Sequence, residues 1–237
     1  MKIVVIVEGQ TEKLFVIDLL QKINSNCVNI IAIDLYYTNH KRIEIKNSNS
    51  TTFYQILDVE NDKKVLDTIL ENEQRFYEKG FEKIIALRDI YSAEYRMQTN
   101  FIDSAIINKF IDGVDNSLND KAKCRSKIFF HFAIMELEAW FLGMGHIFEK
   151  LNSILTIEKI KDEIYYDLKI VNPEDIFVQP SKIIGKILGI IGQKYSKHFI
   201  DIKKILKNIS EDDYWGLQKE GKCKSYKQFF LDISNLS

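Results

Sequence analysis

The sequence predicts an α/β protein: a mostly parallel sheet with helices on both faces, followed by a C-terminal helical lobe. Three observations carry that prediction. Apolar, β-branched runs recur along the first half of the chain, and stretches with helical spacing separate them. Beyond about residue 150 the strand-like runs stop and only helical patterns continue. Several of the apolar runs end in an acid, at the strand ends where open α/β sheets place their ligand chemistry.

Taken in order, residues 2–7 read as a buried strand that runs into Glu8, with Gly9 allowing a sharp turn. Residues 11–23 follow as an amphipathic helix with Leu14, Ile17, Leu20 and Phe15 inward. Residues 28–37 (VNIIAIDLYY) form a second strand. Residues 38–60 are polar, with Asn and Ser clusters, and suit a loop holding a short edge strand at 41–46. A helix over 61–79 stops before Gly80. KIIALRD is a third buried strand ending in Arg88 and Asp89, and a helix is expected around 101–112. KIFFHFAI (127–134) is a fourth strand leading into a helix over MELEAWFLGM. Helical segments near 156–169, 181–191, 198–208 and 225–236 complete a lobe, giving an α/β domain over 1–150 and a helical lobe over 151–237.

Composition narrows the class. With 46% hydrophobic and 28% charged residues the 237-residue chain can build a sizeable core. Two prolines and ten glycines argue against long linkers. Net charge is −1, but Ser181 to Lys227 holds eleven lysines against five acids, leaving −7 for the remainder. That stretch suits a face for a polyanion or a solvated helical surface. Three widely spaced cysteines without a CxxC indicate neither a disulfide framework nor a zinc site. The apolar run before Glu8 is too short for a signal peptide, and no run approaches the roughly 18 residues of a membrane span. A cytoplasmic protein without membrane contact is expected.

The acids are the chemical signal. Glu8 follows strand one, Asp89 ends strand three, and Glu136 and Glu138 follow strand four. In a parallel sheet these ends share one edge, and like charges gathered there resist ionisation unless a cation neutralises them. Oxygen ligands without His or Cys favour Mg²⁺ or Mn²⁺. Glu12 lies one helical turn from Glu8. Glu136 and Glu138 share a face on an extended segment but diverge on a helix. Structural roles compete: Glu12 as a partner of the helix dipole, Asp89 as a helix or turn cap, Glu138 as an exposed helix residue. Glu8 has the poorest structural explanation, since a buried strand gains nothing from a carboxylate at its end.

VEGQTEKLF (7–15), LRDIY (87–91), FHFAIMELEAWFL (130–142), QPSKIIGKIL (179–188) and YSKHF (195–199) resemble a bacterial family of unknown function with a TOPRIM-like core, related to the TOPRIM nuclease domain of OLD-family proteins. The resemblance implies a TOPRIM-like, Rossmann-like sheet, an ATPase partner in anti-phage defence, and Mg²⁺-dependent phosphodiester chemistry at Glu8 and Asp89. TOPRIM domains carry an Asp-x-Asp pair; here Tyr91 stands at the second position, and tyrosine does not bind Mg²⁺ at neutral pH. Glu136 and Glu138 are expected to substitute for it.

The resulting expectation is a nuclease of DNA or RNA. Glu8, Asp89, Glu136 and Glu138 are its catalytic acids and, with Glu12, its metal ligands. One ion would activate water and a second stabilise the leaving oxygen. Lys182 and Lys197 are the candidate nucleic-acid contacts, on a basic lobe that tracks the phosphate backbone. The alternative is a degenerate, non-catalytic module that binds nucleic acid or a nucleotide and regulates an ATPase. His40, His131, His146 and His198 have no metal spacing, and His131 reads as a structural histidine. Gly185, Gly189 and Gly192 read as close helix packing rather than a phosphate loop. Trp140 and Phe141 read as core.

Overall fold

A computed structural model describes residues 1–35 and 41–234. Within them the chain runs β1 (Lys2–Val7), α1 (Gln10–Ile23), β2 (Asn29–Asp34), β3 (Arg42–Ile45), β4 (Phe53–Asp58), α2 (Asp62–Glu78) and β5 (Lys83–Asp89). It continues through α3 (Ala93–Gln98), α4 (Ser104–Lys121), a 3₁₀ turn at Arg125–Lys127, β6 (Ile128–Ala133), α5 (Glu138–Gly143) and α6 (Ile147–Leu151). Then follow α7 (Ile157–Ile164), α8 (Pro173–Ile176), α9 (Pro180–Gly189), α10 (Phe199–Leu206), α11 (Glu211–Glu220) and α12 (Lys224–Ser234). No described residue after β6 lies in a strand.

The described strands form one sheet in the order β3-β2-β4-β1-β5-β6. β1 runs parallel to β4 and β5, β2 runs parallel to β4, and the edge strand β3 is antiparallel to β2. Ile90 N donates to Ala133 O (3.0 Å) and Tyr91 N to Met135 O (2.8 Å). The two residue numbers rise together, as in a parallel pair. The continuous apolar run of β1 follows from its position: Ile3, Val4, Val5, Ile6 and Val7 are all fully buried, as a central parallel strand requires.

The chain forms two compact units. The first comprises Met1–Arg88, Ala105–Phe132 and Leu231–Ser237, and so holds most of the sheet. Within it, Tyr54 donates its hydroxyl to Ile233 O (3.0 Å) and Lys83 Nζ donates to Asp232 O (2.7 Å). Buried His131 faces the Asp232 carboxylate at 3.3 Å. The second unit comprises Asp89–Ser104 and Ala133–Phe230, built of helices around Trp140, Phe148, Tyr214, Tyr226 and Phe229. The expected boundary near 150 falls inside this second unit.

Several expectations are corrected. Residues 53–58, taken into the polar loop, form the central strand β4. Its FYQILD alternation is strong only in company, with β2 on one side and β1 on the other. The single helix expected around 101–112 is preceded by a separate short one, α3. MELEAWFLGM is not helical from its start: Met135 takes a left-handed conformation (φ 63°) and α5 opens at Glu138. α6, α8 and α11 were not expected; the first two are too short to show a period. Gly185, Gly189 and Gly192 are not close-packing glycines, since an added Cβ would meet nothing within 4 Å. The tight positions are Gly143 and Gly145, where a Cβ would lie 2.8 Å from Leu217 and Leu168 respectively. Tyr36, Tyr37, His40 and the last two residues of the 225–236 segment lie outside the described residues.

Candidate functional site

In the second unit, one segment delivers the acids. Met135 turns the chain sharply after β6, a conformation that few side chains adopt without support. Tyr91 N on Met135 O supplies some of it. The next turn is tightened by bonds from Ala139 N to Glu136 O and from Trp140 N to Leu137 O, both 2.9 Å. α5 is buried along its whole length. Trp140 stacks on Phe229 (5.5 Å between centroids) and donates its indole N–H toward Glu174 (3.1 Å) and Ser225 (3.0 Å). Apolar packing thus fixes the backbone from which two glutamates project.

Asp89, Glu136, Glu138 and Lys197 come together here. Asp89 Oδ1 accepts from Leu137 N at 2.9 Å, a long-range bond that helps hold the acidic turn in place. Glu136 accepts from Ser181 N (2.7 Å) and Ser181 Oγ (3.0 Å), in the first turn of α9, which opens on Pro180. A carboxylate at a helix N-terminus is favoured by its free N–H groups and its dipole. Glu138 is fully buried and accepts from the Tyr195 hydroxyl at 2.8 Å. Lys197 Nζ lies 3.0 Å from Glu136 and 3.1 Å from Glu138. Both acids therefore reach one point, although the segment is a tight turn rather than an extended strand. Tyr91 is hydrogen-bonded to the Gln179 amide and has the Arg96 guanidinium 5.4 Å from its ring centroid.

Burial and the neighbouring Glu136 push the Glu138 carboxyl up, while Lys197 and the Tyr195 hydroxyl pull it back. For Lys197, burial works to lower the ammonium, but the carboxylates of Glu138, Asp89 and Glu136 outweigh it and push it up. A buried acid with a raised pKa next to a fixed ammonium can move a proton and steady a developing negative charge. Sequence reasoning missed Ser181, Tyr195 and Gln179. It chose Lys182, which is exposed, one residue from the side chain that bonds Glu136. Pro180 was the available signal: proline at the first helical position marks the N–H groups that an acid can satisfy.

The first unit carries its own acids. Glu8 follows β1, is half-buried, and donates its backbone N–H to Leu87 O at 3.2 Å. Glu12, in the first turn of α1, is buried. Gly9 adopts extended backbone, φ −161°, so its need is room rather than a special turn: a Cβ would lie 3.3 Å from Glu12 Oε2. Asp34 and Asp58 end β2 and β4 and face each other in register. Lys13 bridges them, hydrogen-bonded to Asp34 and 3.0 Å from Asp58, with all three buried. Burial raises the Asp58 carboxyl and Lys13 opposes it.

The oxygen-only donors suit a hard divalent ion by chemistry. Their arrangement does not. Among the described residues no group of three or more His, Cys, Asp and Glu could hold a metal ion. Glu136 and Glu138 are already spanned by Lys197. Of the lysines over 181–227, all but Lys197 and Lys222 are exposed. Among the described residues no helix is long and apolar enough to cross a membrane.

A family model described as a domain of unknown function (DUF4276) matches residues 7–214, a span that holds every acid and lysine of the two constellations above. No curated protein and no solved structure gives a significant match to the chain.

Proposed function

The chain belongs to the DUF4276 family, whose description assigns no activity, and from that premise we propose that it is a TOPRIM-like nuclease subunit, a phosphodiester hydrolase of DNA or RNA. The observation that carries the reading is that Glu136 and Glu138 share Lys197 within one unit, with Asp89 bonded to Leu137 between the two glutamates. The acids and the ammonium also hold the local fold together, but their chemistry suits a phosphate diester: acids to handle protons, a cation for the charge that develops. Glu8 enters through its place after the first strand and the motif resemblance, and Glu12 through its one-turn spacing from Glu8. Mg²⁺ or Mn²⁺ is the expected cofactor, an ATPase the expected partner, and anti-phage defence the setting that the resemblance implies. The exposed lysines of 181–227 would follow the phosphate backbone.

The test is cleavage of single- and double-stranded DNA and RNA with Mg²⁺ or Mn²⁺, with and without an ATPase encoded beside it. Glu8→Gln and Asp89→Asn should each lower cleavage by orders of magnitude while the fold persists. Metal-dependent cleavage unchanged in both variants would overturn the reading. A second reading, a non-cleaving module that binds nucleic acid and regulates an ATPase, is favoured by Tyr91, which is engaged with Gln179 where a second aspartate is expected. It predicts binding without cleavage in every condition.

A further inference from the structure

The second unit holds a cavity of about 350 Å³, a volume within the range of small-molecule sites, and it shares no lining residue with the acidic turn. Its floor is glycine and leucine. Gly145 is buried, and a Cβ there would lie 2.8 Å from Leu168 Cβ, so its absence lets the 165–172 connection close onto the backbone just after α5. Ile157, the first residue of α7, adds a second buried apolar wall. The connection between α11 and α12 is fastened to this floor. Lys222 Nζ donates to Leu168 O (3.0 Å), and Cys223 N donates to Asn172 Oδ1 (3.1 Å). Asp167 stiffens its own turn by accepting from Lys169 N at 3.0 Å. The cavity is thus formed before any ligand arrives, which keeps the ordering cost of binding low.

The polar groups around it are out of balance. Lys169, Lys222 and His146 line the cavity against the single carboxylate of Glu220. The Lys222 side chain is only 15% exposed, yet its three N–H groups have one carbonyl at 3.0 Å and the Glu220 carboxylate at 3.4 Å. Lys169 meets Glu158 at 3.7 Å, beyond hydrogen-bond length, and that acid does not line the cavity. His146 engages Asp213 through Nε2, which leaves its other ring nitrogen uncommitted among the described residues. We propose that this cavity binds a small amphiphilic anion, with its apolar body against Ile157 and Leu168 and a carboxylate or phosphate head on Lys222 and Lys169. Two ammonium groups repel a cation, and a neutral ligand would leave their donors unpaired. The proposal stands apart from the nuclease reading, since it uses none of the residues on which that reading rests.

The test titrates the isotopically labelled full chain with octyl phosphate, octanoate and octylamine, and follows the amide signals of Gly143 and Gly145 by nuclear magnetic resonance. At least one of the two anions should shift these glycines saturably, with millimolar or tighter affinity, and the tighter of the two identifies the head. Octylamine, with the same apolar body, should not. Lys222→Met should weaken the anion about tenfold, the scale of one hydrogen bond to a charged group. Lys169→Met, at the rim, should weaken it by less. Absence of a saturable shift at both glycines with both anions overturns the proposal. So does octylamine binding as tightly as the anions, or unchanged anion affinity in folded Lys222→Met. If Lys222→Met does not fold, having lost its bond to Leu168, then Lys169→Met decides alone: weaker binding supports the proposal, and unchanged affinity refutes it.

Discussion

Tyr195 donates its hydroxyl to Glu138 Oε1 at 2.8 Å across 57 residues of sequence. The acid that receives this bond is fully buried. It has no route to water for its charge, so the phenol and Lys197 are its solvation. Glu138→Ala would leave Lys197 with one acid fewer and the Tyr195 hydroxyl without its acceptor. Chemical denaturation should show a loss of about 3 kcal/mol, the scale of a broken buried pair. Glu138→Gln, which keeps an acceptor for Tyr195, should lose less. Equal losses in the two variants would mean that the hydroxyl bond contributes nothing.

Lys13 is the more severe position. It is the counter-ion for Asp34 and Asp58 at once, all three buried. Lys13→Met should destabilise the protein by roughly 3–5 kcal/mol, because two carboxylates then face each other in register without a cation. Adding Asp34→Asn to Lys13→Met should recover part of the lost melting temperature. No recovery would place the importance of Lys13 in its packing rather than its charge.

Acid sensitivity should trace to Asp213. Burial works to raise its carboxyl, but bonds from Lys150 (2.6 Å), His146 (2.5 Å) and Ser210 N (2.6 Å) overcome this and hold it at about 2, below its ordinary 3.8. A carboxyl with a depressed folded-state pKa stabilises the fold above its unfolded value, and the contribution is lost as pH falls through the folded value. The expected loss is about 1–2 kcal/mol between pH 4 and pH 2, reduced by the exposure of Lys150 and His146. Asp213→Asn should flatten that part of the stability profile. The same steepness in the variant would assign acid unfolding to other groups.

Charge reversal on α10 tests the polyanion face. Lys203, Lys204 and Lys207 are exposed there or just beyond its end. Replacing all three with Glu should weaken nucleic-acid binding and flatten the plot of log affinity against log salt by as much as about 3, near one for each phosphate that a lysine no longer neutralises. An unchanged slope would make these lysines a solvated surface and no more.

The legible parts of the fold were those with a one-dimensional signature. β1, β5 and β6 are short apolar runs with clear ends, and α1 and α2 are long enough to show their period. β4 escaped because Phe53, Tyr54, Ile56 and Leu57 follow a polar Asn- and Ser-rich stretch, and its burial comes from neighbours distant in sequence. The acids divide in the same way. Asp89, Glu136 and Glu138 were legible because each stands at or just after a recognisable strand end. Asp34 and Asp58 obey the same pattern, at the ends of NIIAID and FYQILD, but the apolar pattern runs on past the first strand's true end, and the polar stretch before the second strand hides it. Lys197 stood out only through its motif, for nothing local connects a loop lysine to glutamates some 60 positions earlier.

The bonds that tie Tyr54, Lys83 and His131 to residues 232–233 carry a consequence for biosynthesis. Strands β1 to β6 leave the ribosome long before Asp232 and Ile233 are made, so the first unit waits, incompletely buttressed, through the synthesis of nearly the whole second one. Tyr54, fully enclosed in the finished protein, has no final acceptor for its hydroxyl during that interval. The part of the molecule that starts earliest is therefore completed last, and a chaperone meeting the nascent chain would find the rim near Tyr54 and His131 still open.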